Sequence, residues 1–191
     1  MKNEEIYVHK NYSLFFGRTP ISYPNFRVKE GLGMIIPFVC SANICRSALA
    51  EVILRKKLQQ KGLTEVEVES AGVHNYEGEP RDYMMASYAH RAGYEMKGKS
   101  KYITQEMAES ADLVICMEYF HVVEMQKRLP YIYWGRIHLF NEICFDERTN
   151  LIDPAGDTGY IYSVTFQRIE DGCSTLAWKL SKMLREGEIF F

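Results

Sequence analysis

The sequence predicts an α/β fold of three layers, α-β-α, with a four-stranded parallel sheet in the middle. Three observations predict it. Apolar, strand-like runs alternate with helix-like segments, which argues for a parallel sheet covered on both faces. The length of 191 residues favours one domain of regular structure. The first strand-to-helix turn also carries a cluster of reactive residues, and open sheets of this kind receive ligands beyond the carboxyl ends of their strands.

The elements follow in order. Residues 1–33 read as an irregular N-terminal arm that mixes Tyr7, Tyr12, Phe15, Phe16, Tyr23 and Phe26 with Gly17, Pro20, Pro24, Gly31 and Gly33. It sustains no period of 2 or 3.6, and its aromatics predict that it packs on something. From Met34 the pattern is regular, and residues 34–191 are expected to form the domain. Residues 35–40 are an apolar strand. Pro37 is a blemish there, because proline removes a ladder hydrogen bond; the strand proper starts after it or is distorted at its beginning. Residues 47–61 form a helix with Leu49, Val52, Ile53 and Leu58 inward and Lys56, Lys57 and Gln60 outward, stopped by Gly62.

Residues 66–70 alternate Val and Glu, as a half-exposed strand does. Residues 81–92 are helical and end at Gly93, and Thr104 caps a short helix that runs to Ser110. Residues 113–117 are a buried strand, and residues 119–128 a helix that stops before Pro130. Residues 137–140 give the fourth strand, and residues 160–184 a long amphipathic helix. The chain has no internal repeat, low-complexity stretch or second domain.

Composition narrows the function. Lys and Arg number 23 against 25 Asp and Glu, a net charge of -2, so there is no concentrated basic surface of the kind nucleic-acid binding needs. The apolar run at residues 34–40 is far short of the ~20 residues of a membrane helix. The start, Met1-Lys2-Asn3-Glu4-Glu5, lacks the apolar core of a signal peptide. A cytoplasmic protein without a nucleic-acid or membrane partner is expected. The five cysteines are odd in number and scattered, a poor disulfide framework. Cys116, Cys144 and Cys173 read as small buried hydrophobes.

Cys40 and Cys45 differ because of their surroundings, Cys40-Ser41-Ala42-Asn43-Ile44-Cys45-Arg46-Ser47. A helix starting at about Ser47 leaves its first N–H groups unpaired. A loop curled over that end aims several N–H groups at one point, an anion cradle. Arg46 adds a planar fork for two phosphate oxygens, and Asn43 tolerates the left-handed turn such a loop needs. Cys40 at the base would attack phosphorus as thiolate, favoured by N–H dipoles and Arg46. Ser47 would donate to its sulfur. The same field would hold the equatorial oxygens of the transferring phosphoryl group.

A leaving alkoxide or phenolate needs a proton. Asp153, in Asp153-Pro154-Ala155-Gly156-Asp157 between the last strand and last helix, is the candidate acid, kept extended by Pro154. The bland alternatives are a buried structural thiol for Cys40 and a turn residue for Asp153. A zinc site on Cys40 and Cys45 is disfavoured, since the spacing is not C-x2-C and no second pair completes it. No metal or other cofactor is expected, because the N–H groups and Arg46 already neutralise phosphate.

These residues resemble the low-molecular-weight protein tyrosine phosphatase family. The resemblance runs from about Met34 to Leu184. It rests on Phe38-Val39 and the Cys40–Ser47 loop, Ala50-Glu51, Ser70-Ala71-Gly72, Gly78-Glu79-Pro80, the stretch from Ala111 to Met117, and Asp153-Pro154. It implies a flavodoxin-like sheet, Cys40 as nucleophile, Arg46 as phosphate clamp, Asp153 as general acid, and structural roles for Asn43, Ser47 and Ser70. It also implies that Cys45 forms a reversible disulfide with Cys40 and shields it from over-oxidation. The implied substrate is a phosphotyrosine-containing protein or a small aryl phosphate.

The chain departs from the family pattern in three places. Ser41-Ala42 replaces the usual Leu-Gly, and alanine lacks glycine's freedom at positive φ. Ala155-Gly156 replaces the aromatic pair that lines the mouth of the site. Tyr76 either supplies an aromatic wall instead or is a surface tyrosine, with Tyr160 and Tyr162 as further candidates. The arm has no counterpart in the family, and Met34, which opens the matching region, is an alternative start.

Arsenate reductases of this fold need two more cysteines; Cys116 could be one, but residues 119–128 offer no second. Arginine-phosphate phosphatases resemble the family with Thr where Ile44 stands, so Ile44 points to the tyrosine type. A non-catalytic phosphate-binding module would need neither nucleophile nor acid.

Overall fold

Strand β1 (Met34–Cys40) runs through the middle of the sheet, with β2 (Val66–Gly72) on one side and β3 (Val114–Cys116) then β4 (Ile137–Leu139) on the other. All three pairings are parallel. The computed structural model describes residues 33–186; the arm expected over residues 1–33 lies outside them, apart from Gly33.

Side-chain alternation explains the layers. Ile36, Phe38 and Cys40 of β1 share one apolar cluster with Leu49, Ile53 and Leu58 of α1 (Arg46–Gln60) and with Ile169, Leu176 and Leu180 of α6 (Gly159–Glu186). Val39, the odd neighbour, faces the other cluster with Val114 and Cys116 of β3, Ala108 of α3 (Gln105–Ser110) and Met125 of α4 (Tyr119–Arg128). The sheet therefore carries α1 and α6 on one face and α3 and α4 on the other, and α2 (Tyr83–Arg91) packs on the α6 side through Met85 and Ala89. Cys116, Cys144 and Cys173 are buried, as small hydrophobes should be.

Pro37 sits inside β1, which starts before it at Met34. The Ile35 carbonyl accepts from Leu113 and the Val39 carbonyl from Met117, so the odd residues of β1 face β3. Pro37 therefore lacks its N–H where the pairing with β3 has not begun, since that register covers Phe38 and Val39. The Ile35 N–H on the same side is taken by the Asp112 carboxylate at 2.9 Å. The ladder to β2 loses nothing.

One local expectation needs correction. The fourth strand ends at Leu139, and Phe140 opens a short helix, α5 (Phe140–Phe145). Six residues are too few to show a 3.6-residue period, and its stop is Asp146 in the left-handed conformation, with φ 60°. Asp153 lies between the last strand and the last helix as expected, in the loop that joins α5 to α6. Ahead of β4, Tyr131–Arg136 winds as a 3-10 turn. Among the described residues no helix is long and apolar enough to cross a membrane.

Candidate active site

Strand order turns at β1: the chain leaves it for β2 on one side and returns to β3 on the other. The loop after β1 therefore opens at the crevice where ligands of such sheets lie. Its shape follows from where its carbonyls go. The Cys40 carbonyl accepts from Val73 at 2.9 Å, Ser41 from His74 at 2.9 Å and Ile44 from Asp82 at 3.1 Å. The Asn43 carbonyl accepts from the Arg81 guanidinium. These partners all lie outside the loop. In a planar trans peptide the next N–H points opposite the carbonyl, and the described chain has no cis bond. The N–H groups of Ser41, Ala42, Ile44 and Cys45 are thereby turned inward.

Asn43 is the keystone of the loop. It is fully buried with φ 57°, the left-handed conformation expected of it. Its amide uses all four of its hydrogen-bonding positions. Nδ2 donates to Ser47 Oγ at 3.0 Å and to Ser70 Oγ at 2.7 Å. Oδ1 accepts from Lys101 N–H at 2.9 Å and Arg81 Nη1 at 3.1 Å. Ser70 in turn donates to the Glu51 carboxylate, which Arg55 also holds. Gly72 ends β2 against the loop: a Cβ there would lie 2.8 Å from the Ser41 carbonyl oxygen and the Ala42 carbonyl carbon, so only glycine lets the strand end approach this closely.

Cys40 Sγ lies 2.9 Å from Ser47 Oγ and accepts from the Asn43 N–H at 3.2 Å. Because Ser47 Oγ already accepts from Asn43, its own proton is available to the sulfur. Burial, with Asp82 adding to it, pushes the Cys45 thiol well above its ordinary range. Cys45 is thus held as thiol, with Cys40 among the neighbours that raise it.

Arg46 is 2% exposed. Its Nη1 donates to the Leu151 carbonyl at 3.0 Å and pairs with Glu118 Oε1 at 2.7 Å; its Nη2 pairs with Asp153 Oδ2. Asp153 Oδ1 accepts from Ala155 N–H at 3.1 Å, which fixes the turn after Pro154. The structure thus brings together Cys40, Arg46, Asp153, Asn43, Ser47 and Ser70, all of which the sequence singled out. Tyr76 is 51% exposed, in the loop whose His74 binds the Ser41 carbonyl. Tyr160 is exposed, but Tyr162 is buried with its hydroxyl donating to Asp82 Oδ2 at 2.9 Å, so it is a structural residue and not a wall.

Sequence reasoning missed Glu118, His121 and Arg81. Glu118 and His121 stand at the start of α4, immediately after β3, at the same edge of the sheet as the loop. A Glu-x-x-His following a buried parallel strand was a signal that could have found them. Nothing marked Arg81, whose role depends on a fold-back across the loop. His121 is fully buried. Its Nδ1 accepts from Glu118 N–H at 3.1 Å and its Nε2 lies 3.0 Å from Ser41 Oγ. Burial, reinforced by Arg46, pushes its pKa down to about 4. Among the described residues no group of three or more His, Cys, Asp or Glu is placed to hold a metal ion.

The family model described as low molecular weight phosphotyrosine protein phosphatase matches residues 35–186. The chain belongs to that family. It is 31% identical over 145 residues to the low molecular weight protein-tyrosine-phosphatase Etp of Escherichia coli K12, covering 75% of this chain and 93% of that one. It is 31% identical over 152 residues to the protein-arginine-phosphatase of Bacillus subtilis, covering 78% and 98%. Among solved structures, a protein tyrosine phosphatase from Entamoeba histolytica superposes with a TM-score of 0.73 at 27% identity, over 82% of this chain and 100% of that one. The sheet, the loop after β1 and the helices around it are thus those of a cysteine-based phosphatase fold.

Proposed function

We propose that this member of the family hydrolyses phosphotyrosine, in proteins or as small aryl phosphates, through a cysteinyl-phosphate on Cys40, and that it works in the cytoplasm, where thiols stay reduced. The observation that carries the reading is the loop itself. The carbonyls of Cys40, Ser41, Asn43 and Ile44 are bound by neighbours outside the loop, so its amides converge over Cys40, with Arg46 beside them. The Cys40 sulfur attacks phosphorus, an S–P bond forms, and the P–O ester bond breaks as Asp153 gives a proton to the leaving oxygen. Water then attacks phosphorus, Asp153 takes its proton, the S–P bond breaks and inorganic phosphate leaves. The inward amides of Ser41, Ala42, Ile44 and Cys45 and the guanidinium of Arg46 hold the equatorial oxygens.

The curated relatives divide between tyrosine and arginine phosphatases by name. Ile44, where the arginine type resembles this loop with Thr, supports the tyrosine reading. Tyr76 offers the ring of the substrate a wall, its backbone held through Ser100. Turnover of para-nitrophenyl phosphate, phosphotyrosine and phosphoarginine side by side tests the assignment. Cys40→Ser is expected to lower aryl phosphate turnover at least a thousandfold; substantial retained activity would overturn the nucleophile. Faster turnover of phosphoarginine would move the substrate class.

Cys45 is the redox partner of Cys40. Peroxide converts the Cys40 thiolate to sulfenic acid, and the Cys45 sulfur displaces its oxygen as water to give a disulfide. Mass spectrometry after mild peroxide should find Cys40 joined to Cys45. Finding only sulfinic or sulfonic Cys40 removes that role.

A further inference from the structure

We infer that the side chain of Ser41 is an additional hydrogen-bond donor to the phosphoryl group, and that His121 is the positioning residue that fixes it. The inference rests on the phosphatase reading above and adds a side chain to a cradle otherwise made of backbone amides and Arg46.

The tautomer of His121 decides which way the Ser41 proton points. The Glu118 backbone N–H donates to Nδ1 at 3.1 Å, so Nδ1 carries a lone pair. The ring is neutral, since burial opposes its charge and Arg46 adds to that opposition. Its single proton is therefore on Nε2. Nε2 lies 3.0 Å from Ser41 Oγ and must be the donor there. A hydroxyl has one proton and two lone pairs. With one lone pair occupied by His121, the proton of Ser41 is directed away from the ring. Among the described residues no protein group accepts it: the bond to His121 is the one side-chain bond Ser41 makes.

The location gives that proton a use. Ser41 follows Cys40 directly, it is half-buried, and its carbonyl is anchored outward on His74. The anchoring holds Ser41 at the lip of the cradle while His121, fully buried on α4, sets its rotor. The leucine usual at this position in the family could donate nothing. A neutral donor held in place needs no reorganisation when charge builds on the phosphoryl oxygens. The histidine does not touch the substrate and acts through the serine.

The test combines Ser41→Ala, His121→Ala, His121→Gln and the double variants, assayed on para-nitrophenyl phosphate and phenyl phosphate. Loss of one donor in such a cradle costs 10²–10³ in the best-preorganised sites. For a half-buried hydroxyl that supplements several amides, Ser41→Ala is expected to lower kcat/KM roughly tenfold. His121→Ala should cost about the same, and the double Ala variant no more than either single one, since both remove one interaction. His121→Gln places an amide N–H near the position of Nε2 and should recover part of the rate with Ser41 present but none in the Ser41→Ala background. Thermal unfolding of every variant separates misfolding from the loss of a donor.

A Ser41→Ala enzyme within twofold of the original overturns the proposal. So does a His121→Ala loss that is equal with and without Ser41, which would make His121 purely structural. Failure of the underlying reading looks different: the unaltered protein would turn over neither ester, or Cys40→Ser would keep its activity.

Discussion

A single asparagine shows how closely one residue can be specified. Asn43 needs the left-handed conformation, two donors to serines and two acceptors for Lys101 and Arg81, and no other side chain supplies all of these. The sequence made the turn legible, because Asn in a C-x5-R-S loop is a recognisable exception to φ rules. It left the partners hidden, because Lys101 and Arg81 are distant in the chain. Asp153 was legible as a candidate acid only by its Pro154 neighbour, and the structure pairs it with Arg46 of the loop. Asp153→Asn should slow esters with poor leaving groups by a hundredfold or more, and those with good leaving groups far less, because only the former require the proton. A series of substituted phenyl phosphates measures this. Equal losses across the series would assign the acid elsewhere.

At the scale of elements, the long periodic segments were readable from their spacing; of the short helices, α3 was readable through its Thr104 cap and α5 was not. α6 announced itself through Phe166, Ile169, Cys173, Leu176 and Leu180, all inward at helical spacing. α5 has six residues, too few to show a period, and its first residue, Phe140, continues the apolar run of the strand. The contact between these two helices carries a prediction. Gly172 of α6 lies over α5, where a Cβ would come within 2.6 Å of Phe140 Cε1 and 3.2 Å of Cys144 Sγ. Helix propensity alone would favour alanine there by about 1 kcal/mol. Overpacking a buried ring costs about 1–3 kcal/mol, and Phe140 is fully buried between Phe38 and Phe145. Net of that propensity, Gly172→Ala should destabilise the protein by about 1 kcal/mol and at most ~2 kcal/mol, seen as a lower urea midpoint with an unchanged slope. A stabilised variant would mean that the ring yields freely.

For the whole molecule, the strand–helix alternation was enough to place a parallel sheet between helices and the site at the end of β1. The sheet order β2-β1-β3-β4 was not readable from periodicity, which carries no information on which strands are neighbours. Global stability carries the cost of the buried imidazole beside the site. The pKa of His121 falls from an ordinary 6.5 to about 4 on folding, through burial first and Arg46 second. Between those values the unfolded chain binds a proton that the folded chain refuses. Stability is therefore full above pH 6.5 and falls as pH drops toward 4. A difference of one bound proton is worth about 1.4 kcal/mol for each pH unit, so roughly 2 kcal/mol should be lost between about pH 7 and about pH 5. His138 is lowered in the same direction by burial and adds to the slope. Urea titrations at the two pH values, compared with His121→Gln, should show a shallower dependence in the variant. An identical dependence would assign the acid sensitivity to other groups.

The ion pair between Arg46 and Asp153 means that the proposed phosphate clamp already holds an anion, one of the protein's own. An incoming phosphate competes with a tethered carboxylate, and its apparent affinity is reduced by the fraction of molecules in which that carboxylate has let go. On the proposed mechanism, acid and internal competitor are one side chain. Removing its charge with Asp153→Asn should slow turnover yet tighten the hold on inorganic phosphate, so that the slower enzyme is the one more readily choked by its product.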